Sequence, residues 1–327
     1  MVKLNEVLFS DIYITPDKIA YIPDNVTPNG LEVLEAEDFD DFFDLIEQSW
    51  DGNNAFCIVN NPSYSVMFDE IFYRVERTVS IYGIQYCARK MPKQVPPFNS
   101  LGYPVELSQY LLSLSNASGL ILCAGPTGAG KTTTISSLMK EYLTMEGGFA
   151  YTIEDPTEMP LDGVYHSVAG GLGLCKQTLP PNGNWGEGLK SALRSKPRFI
   201  MVGEIRTPDT ASEVLRAATS GHLVLSTIHA NNITDAINSV VKYASSTAMS
   251  EELAYDLFSR GMLGVLHQTL HGVKNKTPLV SYLFTNPDST RGDQVRGIIK
   301  GGKLNLATSI ETQMTRMSRG KNIFPEI

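Results

Sequence analysis

The sequence predicts an α/β fold: a nucleotide-binding domain of parallel strands and covering helices, preceded by a small α+β domain. Three observations predict it. Gly125, Gly130, Lys131 and Thr132 occupy every fixed position of the G-x-x-x-x-G-K-[ST] phosphate-binding pattern. An apolar run at 119–124 precedes that loop and a helical spacing of apolar residues at 133–139 follows it, the strand–loop–helix order such a site requires. The chain also changes character across a proline-rich stretch, with short alternating segments before it and apolar runs alternating with helical patterns after it. The expected divisions are a first domain at 1–92, a stiff linker at 93–98 and the nucleotide-binding domain at 99–327.

The residue types say what the loop holds. Gly125, Gly128 and Gly130 let the backbone bend closely around a polyphosphate and aim N–H groups at its oxygens. Pro126, Thr127 and Ala129 fill the variable positions, and Thr133 carries the chain into the helix, whose positive end faces the phosphates. Lys131 is expected to bridge the β- and γ-phosphates, and the Thr132 hydroxyl to ligate magnesium. The expected ligands are therefore ATP and Mg2+.

Composition narrows the class. The 327 residues are enough for two domains with proper cores. Hydrophobic content of 42% and charged content of 19% describe an ordinary globular chain. No apolar run approaches a membrane span, and the opening residues do not read as a signal peptide, so a cytosolic protein that meets a membrane only through partners is expected. The formal charge of −8, with no run rich in lysine and arginine, argues against a nucleic-acid motor. Cys57, Cys87, Cys123 and Cys175 lie far apart with no C-x-x-C pair, which favours reduced thiols over zinc or disulfides.

In chain order, residues 9–15 alternate as a half-buried strand, Pro16 and Asp17 turn, and 18–22 read as the second arm of a hairpin. Between 35 and 50, Phe39, Phe42, Phe43, Ile46 and Trp50 share one helical face, with acids opposite. A membrane-surface helix needs a basic polar face, so this one is read as packing on a core. Strand-like segments follow at 55–59, 69–77 and 80–89. Beyond the linker three apolar runs end in polar groups: 149–155 in Glu154 and Asp155, 198–204 in Glu204, and 223–229 in His229. Polar residues at the carboxyl ends of buried parallel strands are where such a sheet assembles its site.

The run at 199–202 followed by Gly203 and Glu204 has the form of a second nucleotide-site strand. Gly203 stands where an aspartate is usual, which points to magnesium held through water. Glu204 is then the group that orients or deprotonates the attacking water. Glu154, Asp155 and, one turn on, Glu158 form a further acidic group, and His222 and His229 bracket a strand. His267 and His271 stand four apart with no acidic third ligand nearby, so no metal site is expected there.

These motifs together resemble the PilT/GspE-type secretion ATPases, hexameric motors of type II and type IV secretion and of type IV pili. Four boxes line up in the family's order, at 125–134, 152–158, 202–206 and 221–229, with 191–197 fitting as well. The resemblance implies a RecA-like ATPase domain preceded by a PAS-like domain that closes over the nucleotide. It implies that Glu154 and Glu158 help position magnesium and water, and that His222 and His229 sense or contact the γ-phosphate. Arg74 and Arg89 in the first domain, and Arg194 and Arg206 in the second, become candidates to neutralise charge on the γ-phosphate. The implied partners are copies of itself in a homohexamer and an inner-membrane platform protein, with the ring on the cytoplasmic side.

The chain also departs from the family. The glutamine-arginine-glutamate segment has no counterpart, and the glycines and prolines at 170–178 and 180–183 read as a loop. The four-cysteine zinc element and a long N-terminal recruitment domain are not found, which favours the compact branch, PilT-like or DotB/TraJ-like, as the expectation. The run from Arg194 to Pro197 leans toward the DotB-like side. Two other readings keep the same loop: a RecA-like nucleic-acid translocase, stimulated by DNA, and an ATP-gated assembly switch with little turnover.

Overall fold

The structure, a computed structural model, describes residues 2–24, 30–50, 62–246, 249–272, 276–288 and 292–324. The chain divides into two units, Met1–Gln94 with Pro156–Pro160, and Val95–Asp155 with Leu161–Ile327.

Alternating residues in the first unit become an antiparallel sheet with one buried face. Its strands are β1 (Asp11–Ile14), β2 (Ala20–Pro23) and β3 (Leu31–Val33), then, after helix α1 (Phe39–Trp50), β4 (Ser63–Phe68), β5 (Ile71–Ser80) and β6 (Gly83–Lys90), in the order β3-β2-β1-β6-β5-β4. Ile12 and Ile14 of β1 turn inward while Tyr13 turns out. Phe42, Phe43 and Ile46 put the apolar stripe of α1 on that face, Phe42 meeting Tyr73 at 4.7 Å between ring centres. Asp40 and Asp41 sit in the first turn of α1, where the helix dipole favours acids. Strands β3 and β4 were not legible in the sequence. The segment expected as a strand at 55–59 lies outside the described residues, and Cys57 with it.

Part of the expected linker is core. Val95 and Phe98 are 2% and 1% exposed, and Phe98 stacks on Tyr103. The Phe98 amide donates to Glu141, and Lys140 donates to the Val95 carbonyl. These bonds fasten 95–98 to the second unit.

The second unit continues with α2 (Val105–Ser113), β7 (Gly119–Ala124), α3 (Lys131–Glu146), β8 (Gly148–Ile153), β9 (Gly163–His166) and β10 (Leu172–Thr178). Next come α4 (Trp185–Arg194), β11 (Phe199–Val202), α5 (Pro208–Ala218), β12 (Leu223–Ile228), α6 (Ile233–Ser245) and α7 (Glu251–Gly261). It ends with β13 (Met262–His271), β14 (Thr277–Phe284), α8 (Gln294–Lys300) and α9 (Ala307–Ser318). The sheet order is β14-β13-β7-β12-β11-β8-β10-β9, with the strands from β13 to β10 parallel and an antiparallel strand at each edge. Strands β7, β11 and β12 are buried at every position because helices cover both faces. Helices α2, α3 and α9 pack together on one side and α4 to α8 form a chain on the other.

The segment read as a loop at 170–178 is mostly strand. β10 pairs parallel with β8 and antiparallel with β9, the chain turning at Gly170 with φ 88°. Glycine is used there for the turn, and Gly173 for close packing against Leu143. The prolines at 180 and 181 lead into a single turn at Pro181–Gly183. His267 and His271 lie on strand β13, and no cluster of metal-ligating side chains forms among the described residues.

Candidate active site

The loop between β7 and α3 lies at the carboxyl end of β7, an interior strand of the sheet with β12 and β13 on either side. Gly125, Gly128 and Gly130 have φ of 151°, 74° and 77°, conformations that a side chain strains. At Gly125 space is also lacking, since a Cβ would stand 2.2 Å from the carbonyl oxygen of Gln268. Helix α3 begins on Gly130 with no side-chain cap. Helices α4, α5, α6 and α7 are capped by Asn184, Thr207, Asn232 and Ser250. The first turn of α3, with the Thr132 and Thr133 side chains, stands at the mouth of the loop, where a helix N-terminus favours an anion.

The Lys131 ammonium donates to the carbonyls of Gly125 at 3.0 Å and Pro126 at 2.9 Å, and lies 3.4 Å from His229 Nδ1. An ammonium has no acceptor, so Nδ1 accepts and the imidazole proton sits on Nε2. That nitrogen is 3.2 Å from Glu204 Oε1. The other carboxylate oxygen accepts from Arg206 Nε at 2.5 Å. Lys131, His229, Glu204 and Arg206 therefore form one chain of contacts from the phosphate loop to the ends of β11 and β12. The backbone enforces it. Ile205 N–H donates to the Thr227 carbonyl at 2.9 Å, and Thr227 Oγ1 donates to the Gly203 carbonyl at 2.6 Å.

Gly203 has a further use. A side chain there would meet Glu154, whose Cγ lies 3.3 Å from the position a Cβ would take. Glu154 thus fills the room left by the missing aspartate. It is 2% exposed, and its Oε1 accepts from Thr152 at 2.7 Å and Gln177 at 2.9 Å. Gln177 lies in the segment read as a loop, so its role was invisible in the sequence.

His222 and Arg194 of the same unit do not join this arrangement. His222 precedes β12 and His229 follows it, so the strand holds them roughly 20 Å apart, at opposite ends of the sheet. His222 is bound instead to the Pro197 carbonyl at 2.8 Å. A γ-phosphate contact from His222 to its own loop is excluded by that placement. Arg194 ends α4 just before β11, also at the amino ends of the strands, and is exposed. The residues after β8, with Glu158 among them, form a loop and not a helical turn. Within the first unit Glu158 lies 3.9 Å from Arg74, and Arg89 pairs with Asp11 at 2.7 Å. Arg74 and Arg89 are cross-strand neighbours on β5 and β6.

A family model described as type II/IV secretion system protein matches residues 65–277. Among relatives, the type IV pilus assembly ATPase TfpB of Acinetobacter baylyi is 39% identical over 139 residues, 42% of this chain and 22% of that protein. The competence protein ComGA of Halalkalibacterium halodurans is 39% identical over 146 residues, 44% of this chain and 40% of that one. The chain thus spans well under half the length of these relatives. Among solved structures, the pilus retraction motor PilT with bound ADP superposes with a TM-score of 0.72 at 25% identity, covering 96% of this chain and 90% of that one. The Legionella pneumophila ATPase DotB gives 0.69 at 21% identity, covering 96% and 88%, a likeness of fold. The RecA-like phosphate-loop fold after a small α+β unit is the fold of these proteins. With the model matched over more than half of its length, the chain belongs to the type II/IV secretion system protein family, a family of secretion and pilus ATPases.

Proposed function

We propose that the second unit binds Mg·ATP at the 125–133 loop and hydrolyses it, and that homohexamers couple this turnover to work in a pilus, type IVB secretion or conjugation system. The observation that carries the reading is the continuous contact from Lys131 through His229 to Glu204. It ties the phosphate-binding group to a carboxylate able to act on water at the γ-phosphate. The donors at hand are the Thr132 hydroxyl and the carboxylates of Glu204 and Glu154, all oxygen, which suits magnesium that keeps waters of its own. Bound there, the ion would offset phosphate charge, with Thr132 a direct ligand and Glu204 holding it through water. Arg206 holds Glu204 in place, and Arg74 and Arg89 are the arginines we assign to supply further positive charge from the first unit, with Glu158 beside Arg74. Arg194 and His222, remote from their own loop, could serve only a neighbouring copy. No helix among the described residues is long and apolar enough to cross a membrane. Work at the cytoplasmic side of an inner membrane then falls to a platform protein as partner.

Lys131→Ala should weaken Mg·ATP binding about 100-fold, equivalent to ~2.7 kcal/mol, in equilibrium titration. Unchanged affinity would remove the loop from the reaction. The ring reading is tested by mass measurement and turnover against protein concentration with Mg·ATP present. Six-subunit particles with rising specific activity are expected. A monomer active at every concentration would overturn the ring.

A further inference from the structure

Gln268 stands between His267 and Thr269 on β13 and is 1% exposed, a polar side chain turned fully into the protein. Its Nε2 donates to the carbonyl of Ala129 inside the phosphate loop. Its Oε1 accepts from the Tyr103 hydroxyl, from Thr134 Oγ1 at 3.0 Å and from Cys123 Sγ at 3.3 Å. A backbone carbonyl can only accept, so the amide nitrogen must face Ala129 and the hydroxyls fall to the oxygen. Burial raises the Tyr103 hydroxyl and pushes the Cys123 thiol up to about 12, so both keep their protons at working pH. Tyr103 is itself stacked on Phe98, whose amide is bound to Glu141 of α3.

The geometry has a consequence at the next peptide. The Ala129–Gly130 peptide is planar and trans, so its carbonyl and the Gly130 N–H point in opposite directions. Holding the carbonyl on Gln268 turns that N–H to the other side, into the loop. Gly130, at φ 77° and without a side chain, could otherwise swing the peptide over and present a carbonyl to the phosphates. The backbone of Gln268 packs on Gly125 at the other end of the same loop. One residue thus sets both ends of the loop.

Resting on the nucleotide-binding reading above, we propose that Gln268 is a positioning residue for the phosphate-binding backbone, with Tyr103 as its anchor. It acts through Ala129 and does not touch the nucleotide.

The test uses the full chain and titrates Mg·ATP between pH 6 and 9. Q268M, which lacks the donor, should bind about tenfold more weakly across the range. Q268E is the decisive variant. A carboxyl in this buried place has a raised pKa. Protonated at pH 6 it still donates to Ala129 and should bind within threefold of wild type. Ionised as the pH rises, it loses the donor, faces a carbonyl and should fall at least tenfold by pH 9, a change wild type does not show. Y103F, which loses one hydroxyl, should cost about threefold in affinity and raise KM more than it lowers kcat. It also keeps the idea testable should Q268M fold poorly. A Q268E titration parallel to wild type at every pH, or one equally weak at pH 6 and pH 9, overturns the inference. Should wild type bind and only the Q268E prediction fail, the nucleotide reading stands and this inference falls. Should wild type not bind Mg·ATP, both fall.

Discussion

Glu204→Gln is expected to bind Mg·ATP as wild type does and to hydrolyse it about 1,000-fold more slowly, the scale of loss when a proton-handling group is neutralised. The change is nearly isosteric in a side chain only 12% exposed, so packing is kept. Its chemistry is not kept. The carboxylate accepts at both oxygens, from His229 Nε2 and Arg206 Nε. A glutamine amide can satisfy one of these donors but sets an N–H group against the other, and it cannot take a proton from water. Arg206→Ala is the informative partner experiment. It frees one oxygen of Glu204 while leaving the carboxylate and the His229 contact, so a loss of about tenfold in kcat is expected. Single-turnover hydrolysis by the assembled protein separates the two. A Glu204→Gln enzyme within fivefold of wild type would take Glu204 out of the chemistry and leave Glu154 as the carboxylate to test.

What was legible in the sequence follows from the range of each constraint. The phosphate loop, its strand and its helix are fixed by a few contiguous residues, and the buried runs at 119–124, 199–202 and 223–228 carry an apolar signal that only a covered parallel strand sustains. Strand β10 carries no such signal. It lies one strand from the sheet edge, alternates exposed and buried positions, and contains glycine, so its composition resembles a loop. Its reality rests on pairing with β8, which is nonlocal. The two histidines of one box look equivalent along the chain, and only the extended length of β12 separates them. Glu154 reaches the site through the missing side chain of Gly203, a matter of packing between neighbouring strands. Gln268 was unreadable for a similar reason: nothing near it in sequence says that β13 lies against the loop.

Gly125→Ala should be the most damaging single methyl group in the protein. The position has φ 151°, where a side chain is strained, and the new Cβ would fall 2.2 Å from the Gln268 carbonyl oxygen, a distance real structures do not show. The obstruction is the backbone of β13, paired with β7 on one side and β14 on the other, so it cannot yield as a flexible side chain would. A cost of about 3 kcal/mol or more is expected, seen as a fall of about 10 °C in the thermal midpoint without nucleotide. Gly128→Ala separates crowding from conformation. Its φ is 74°, but no atom lies within 4 Å of the added carbon. It should lose only about 1–2 kcal/mol of stability from the left-handed backbone while still impairing Mg·ATP binding, because the methyl group enters the phosphate cradle. Equal thermal midpoints for the two variants would mean that β13 does not clamp the loop at Gly125, and a Gly128→Ala protein with wild-type affinity would place the phosphates away from that residue.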